Sequence, residues 1–447
     1  MTKKEIGRRD FLKKAGAAGV ALGSAGIAGG YITPRKVAAQ KRAIPKGPIR
    51  MAAVSFLTGA AASPFGIPGM NTYQMMAEQY NKQGGILGRK IELLSYDEAG
   101  GVDAQVKLSR KLILDDQVDV TLGYISSANC KAVLPLSDEL GGLIMAYDCG
   151  THELMEGTTS PYKTPKYSLG FRTKAHLGID NIGLALYIKK YFPDIKTMGG
   201  INQDYAWGRE SWLIFETAMK KLMPHVKVVG TWWPPLGTTD FTAHISALMG
   251  AKPDIVHSSL WGGDAVTFSK QAQGMGLIER SRMAWSRGEP YPQEVGKEYP
   301  EEQIICCAGT HYFLYPPHDK WPLNKYFVEE YRKRYGKYPT YPCYHAYQAI
   351  AVYKQAVEKA GALVGGWPTI EEISKAVVGL SIQTPSGHLM IREDHNGIED
   401  VLVGVSKMTP DFPFPILDPQ RMEVYPAHMV NAPVGIRTVD WINSWQS

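Results

Sequence analysis

Val118–Pro135, VDVTLGYISSANCKAVLP, decides the reading of this chain. Val118 to Ile125 has the apolar run of a short buried strand, entered after Asp115-Asp116 and closed by Ser126-Ser127. Ala128 to Leu134 then has helical spacing, with a serine in the N-cap position. A strand that turns into a helix at a Ser-Ser pair gathers backbone N–H groups, two hydroxyls and the positive end of the helix dipole at one point. Such a point favours an anion, typically a carboxylate. In an open α/β sheet it falls at the carboxyl ends of the strands, where ligands sit. The alternative is that Ser126 or Ser127 only caps the helix.

The neighbouring segments repeat the same unit. Ile49–Leu57 reads as a strand, about Met70 to Gln83 as a helix, and IELLSYDEAG (91–100) as a strand ending in acids. Asp103–Leu114 is amphipathic, and Leu143–Tyr147 is a further strand that runs into DCGTHEL. A second round starts at Phe171-Arg172-Thr173. It continues through a helix over 176–191, the strand and polar loop of IKTMGGINQDYAWGRE, and the strand–loop–helix unit KPDIVHSSLWGGDAVTFSKQAQGMGL. Short strands follow at Met283–Trp285 and Gln303–Ala308, then helices over 323–335, 344–360 and 370–378. SGHLMIREDHNG reads as a hairpin turning at Asn396-Gly397, and the Pro-rich last forty residues as a wrapping tail. Alternation at this spacing predicts parallel sheets covered by helices on both faces. About four hundred residues after the leader exceed one core and predict two lobes.

Residues 1–39 read as an export leader. Gly7-Arg8-Arg9-Asp10-Phe11-Leu12-Lys13 has the twin-arginine pattern, 15–32 is an uncharged Gly/Ala-rich stretch, and Val37-Ala38-Ala39 is a small-residue cleavage site. The leader carries eight Lys/Arg and two acids, so the rest of the chain has 41 basic and 41 acidic residues. The basic balance therefore belongs to the leader and gives no argument for nucleic acid. Five cysteines without C-x-x-C spacing argue against a zinc or redox site; one or two disulfides are possible, with at least one thiol left over. The eleven histidines are scattered without metal-ligand spacing. No G-x-G-x-x-G after a strand, P-loop, H-E-x-x-H or G-x-S-x-G occurs. An enzyme reading rests on the leader alone, and no cofactor or metal is expected.

Seven phrases in order carry a resemblance: GGILGRKIELLSYDEAG, VDVTLGYISSANCKAVLP, GFRTKAHL, INQDYAWGRE, LGTTDFTAHISALMGAKPDIV, SKQAQGMGL and FVEEYRKRYGKYPTYPCYHAYQAIAVYKQAVEKAG. From about Ile49 to Val405 the chain resembles the substrate-binding proteins of branched-chain amino acid and amide type ABC transporters, the type 1 periplasmic binding proteins. The resemblance implies two doubly wound α/β lobes joined by three crossovers, with solute bound between them. One lobe would be 46–171 with 311–383, the other 172–310 with 384–447. It implies ligand contacts at Ser126 and Ser127, at Asp148, Cys149 and Thr151, at Trp207 with Tyr205 close by, and at Trp261. Similar proteins have Tyr where this chain has Trp207. Glu289, or failing it Asp264, would accept a ligand ammonium. The implied function is non-catalytic delivery of a small solute to an ABC permease in the periplasm, after export by the twin-arginine translocase. A ligand-sensing adaptor for a receptor is the alternative. Branched-chain amino acids, short amides or urea, and aromatic carboxylates all stay open as solutes.

Overall fold

The computed structural model describes residues 42–446. The twin-arginine pattern and the cleavage site lie outside them. The described chain is built on two main sheets.

The first sheet is all parallel, in the order β2-β1-β3-β4-β5, with β1 Ile49–Ser55, β2 Ile91–Asp97, β3 Val120–Leu122, β4 Ile144–Ala146 and β5 Gly170–Arg172. Its strands β3, β4 and β5 are buried on both faces, as helices above and below a parallel sheet require. Edge strand β2 alternates partly exposed positions.

The second sheet has a parallel centre of β6 Thr197–Ile201, β7 Lys227–Trp232, β8 Ile255–Ser258, β9 Arg282–Trp285 and β10 Ile304–Cys306. Past β10 come β14 Val401–Lys407, antiparallel to it, and β15 Ile416–Leu417, with β16 Glu423–Tyr425 also paired to β14. A third, small sheet joins β11 Ser381–Thr384, β12 Gly387–Ile391 and β13 Gly397–Ile398. The strand–helix alternation read from the sequence is this doubly wound architecture.

Four local readings change. The Val118–Ile125 strand is only Val120–Leu122, because Ile125 and Ser126 turn their N–H groups to the Glu98 side chain rather than to a neighbouring strand. The 386–397 hairpin does not turn at Asn396-Gly397. The tight turn lies between β11 and β12, and Gly397 pairs with Ile391. Asp394 bonds the Asn396 N–H, His395 takes the left-handed conformation (φ 63°), and the Asn396 amide oxygen is held by buried Arg172. All five cysteines are free and buried, so none forms the possible disulfides. The Pro-rich tail adds β15 and β16 to the second sheet. Its Thr438 bonds buried Glu156 through both N–H and hydroxyl. Among the described residues no helix is long and apolar enough to cross a membrane.

Candidate functional site

The loops at the carboxyl ends of β3, β4, β6, β8 and β9 converge from both sheets. They enclose a cavity of about 20 Å³, lined by Ile125, Ser127, Asp148 and Gly150 from the first sheet's side and by Tyr205, Trp207, Trp261 and Arg287 from the second's. Tyr341, at the start of helix Tyr341–Val364, closes it. Such a volume holds about one water. Trp261 also walls a pocket of about 230 Å³ that includes Thr58, Ala60, Gly100 and Leu236, so one indole separates the inner cavity from a wider one.

The aromatic walls are fixed by their polar ends. Trp207 Nε1 donates to Ser259 O (2.7 Å), and Trp261 Nε1 donates to the Tyr205 hydroxyl (2.7 Å). Phe65 packs edge-on to Trp261 and tilted against Tyr341. Gly150 is required where it stands: a Cβ there would lie 2.3 Å from the Trp207 ring.

The charged floor of the cavity was not legible in sequence. Arg287 follows β9 by two residues, and its Nε and Nη1 bond Asp180 (2.9 Å) and Asp148 (3.2 Å). Its guanidinium carbon lies 4.6 Å from the Trp207 ring centroid and 5.7 Å from that of Tyr341. Burial opposes its charge, but Asp180 and Asp148 outweigh that and hold it protonated. Asp148 Oδ1 also meets His345 Nδ1 (2.7 Å) and Lys174 Nζ (3.9 Å). Burial pushes the Asp148 carboxyl up to about 6, against Lys174 and Arg287, and pushes Lys174 down to about 7. On this floor two buried atoms have no hydrogen-bond partner among the described residues: Arg287 Nη2, a donor, and Asp148 Oδ2, an acceptor. Polar atoms buried in this way cost free energy unless something bonds them.

The residues singled out in sequence fall in different places. Ser127, Asp148, Tyr205, Trp207 and Trp261 come together on the cavity. Ser126 does not line it. Its hydroxyl faces the Asn129 N–H as a cap, and its own N–H goes to Glu98. Glu98 also takes the Ile125 N–H and the Asn129 amide, so the place for an acid at this seven-residue helix is filled by the protein's own carboxyl group, which burial pushes up to about 8 against those bonds. The acids ending IELLSYDEAG were the available signal. Thr151 and Cys149 are buried behind the wall. The Thr151 hydroxyl donates to Glu210, and its N–H reaches Ser127 Oγ (3.2 Å). Glu289 accepts the Tyr341 N–H (3.0 Å) and faces a separate crevice with Tyr312 and Phe414. Asp264 lines the wider pocket and is occupied by the Gln203 amide and the Gly237 N–H.

Residues 48–408 match the model of the periplasmic binding protein family, and the chain belongs to it, with the type 1 fold. A Leu/Ile/Val-binding protein homologue of Brucella abortus is 25% identical over 390 residues, covering 85% of this chain and 86% of that one. Two solved structures share the fold. The solute binding protein of an ABC transporter from Rhodopseudomonas palustris, in complex with 3,4-dihydroxy benzoic acid, is 19% identical with TM-score 0.71, covering 85% of this chain and 98% of that one. A leucine binding protein from Thermotoga maritima is 21% identical with TM-score 0.67, covering 83% and 99%.

Proposed function

We propose that the protein is an exported, non-catalytic solute-binding protein that delivers a small carboxylate with a flat, apolar body to an ABC permease. In this reading the leader to Ala39 directs export by the twin-arginine translocase and the mature chain works in the periplasm. The two lobes are 46–171 with 311–383 and 172–310 with 384–447, and they close over the solute. The observation that carries the reading is the unpartnered Arg287 Nη2 buried beside the cavity. A carboxylate supplies the acceptor it lacks, in a site dry enough for charged hydrogen bonds to count. Trp207, Trp261 and Tyr341 offer ring faces to the solute's body. A cavity that holds about one water admits such a solute only as its walls part, which fits closure around it.

Asp148 Oδ2 favours a solute with one donor as well. A ring hydroxyl and an amino-acid ammonium both satisfy it. The ring hydroxyl is the better match, because the Asp148 carboxylate already faces Arg287, Lys174 and His345 and has little charge left to offset an ammonium. The R. palustris protein, solved in complex with 3,4-dihydroxy benzoic acid, and the leucine binding protein of T. maritima bracket the two choices on one fold.

A thermal-shift panel of amino acids, short amides and hydroxybenzoates tests this. At a hundred times Kd the true class stabilises by about 2.7 kcal/mol. Arg287→Lys removes the planar fork and should weaken the hit roughly ten- to hundredfold. An aliphatic amino acid as the sole hit would replace the aromatic-carboxylate reading, and full affinity in Arg287→Lys would remove Arg287 from the site.

A further inference from the structure

We propose that His311, His345 and Glu399 form a site for one divalent cation of the zinc type, beneath the solute cavity. The three are fully or almost fully buried, and their donor atoms lie within 4.8 Å of one another. They come from three separate segments: the stretch after β10, helix Tyr341–Val364 and the turn between β13 and β14.

The polar geometry among them does not close without a further positive particle. His311 Nε2 lies 3.1 Å from Glu399 Oε2, within ion-pair distance, but among the described residues neither His311 nitrogen makes a hydrogen bond of normal geometry. His345 offers Nδ1 to the Asp148 carboxylate (2.7 Å) and Nε2 to the Ala308 carbonyl (3.2 Å). A neutral imidazole has one N–H, so one of these contacts sets a lone pair against an acceptor. With the proton on Nδ1, Nε2 is unprotonated and its lone pair opposes the Ala308 oxygen, a repulsion that a metal ion bound at Nε2 would relieve.

The surroundings already orient the ligands. Asp148 fixes His345, while Gln348 Nε2 (2.8 Å) and the Ala175 N–H (3.1 Å) fix the two oxygens of Glu399. Outer hydrogen bonds of this kind set ring tautomer and carboxylate direction at metal sites. Bonds of about 2.0–2.2 Å to zinc need donor atoms roughly 3–4 Å apart; His311 Nε2 and Glu399 Oε2 are 3.1 Å apart, and the whole set, within 4.8 Å, needs at most a small side-chain adjustment. Two imidazoles and one carboxylate favour zinc or a similar first-row ion over calcium or magnesium. Glu399 and Thr310 also line an outer pocket of about 340 Å³, the side from which an ion would enter. Gly309 leaves room at the ligand atoms, where a Cβ would lie 2.6 Å from His311 Nε2. The ion would fasten the segment after β10 to helix Tyr341–Val364 and, through His345, steady Asp148 at the solute cavity.

The test uses purified, chelator-stripped protein with Zn²⁺ or Co²⁺ as the only probe. Equilibrium dialysis should return one Zn²⁺ per chain, Zn²⁺ should raise the melting temperature, and Co²⁺ should give the visible absorption of a low-coordinate nitrogen–oxygen site. His311→Ala and Glu399→Gln should each lose that absorption. Should either variant fail to fold, the wild-type dialysis and spectrum still decide. No bound Zn²⁺ and a featureless Co²⁺ spectrum would overturn the proposal, leaving a protonated hydrogen-bonded cluster. So would equal Zn²⁺ uptake by folded variants, which would put the ion elsewhere.

Discussion

Glu289 shows how burial rather than residue type decides what a carboxylate does. It is buried, with the Tyr341 N–H as its hydrogen-bond donor, and burial raises its pKa to about 8 against that one bond. An acid with a raised folded pKa is protonated in the fold and ionised in the unfolded chain between pH 4.5 and about 8. Its contribution is therefore greatest in acid and is lost as pH rises through that window, at up to about 1.4 kcal/mol per unit. Glu289→Gln, which mimics the protonated form, should match the wild type near pH 5 and melt higher at pH 8. Melting curves across that range check it; a variant destabilised equally at both ends would mean the carboxylate is ionised in the fold.

Helix Ala206–Leu222 and the loop after β4 meet at Glu210. Its carboxylate accepts the Thr151 hydroxyl (2.6 and 2.8 Å) and the His152 N–H (3.2 Å), and His152 Nδ1 lies at 2.8 Å. The helix follows the second sheet and the loop the first, so the contact fastens the two sides of the cavity to each other. It is the reason Thr151, chosen from the sequence as a ligand contact, has no hydroxyl to spare. Under the proposed closing motion this contact is made only when the two sides meet, so Glu210→Ala should weaken solute binding about tenfold or more, the range for losing hydrogen bonds to a charged group. The melting temperature of the solute-free protein should change much less. Titration of solute into the variant checks this; unaltered affinity would make Glu210 an ordinary buried acid.

For the molecule as a whole, the proposed function predicts closure and export, and both can be measured. Solute should reduce the radius of gyration in small-angle scattering, because lobes that part to admit it must come together over it. An unchanged radius at saturation would favour a rigid module. Changing both Arg8 and Arg9 to Lys should leave the precursor in the cytoplasm, read by fractionation; normal accumulation outside would point to another export route.

The order of strands and helices was legible in the sequence, since hydrophobic period and turn residues are local properties written within each ten-residue window. So were five residues of the cavity wall: Ser127 from its strand-to-helix turn, since strand ends are where an α/β sheet gathers its loops, and Asp148, Tyr205, Trp207 and Trp261 through the resemblance to periplasmic binding proteins. What each polar group is bonded to was decided only by tertiary packing. Glu98 took the N–H groups offered at Ile125 and Ser126, Glu210 took Thr151, and the Tyr341 N–H took Glu289. Arg287 reached Asp148 from 139 residues away. A buried donor or acceptor must find a partner, and which partner is near is a property of how distant segments pack, which no single stretch of chain contains.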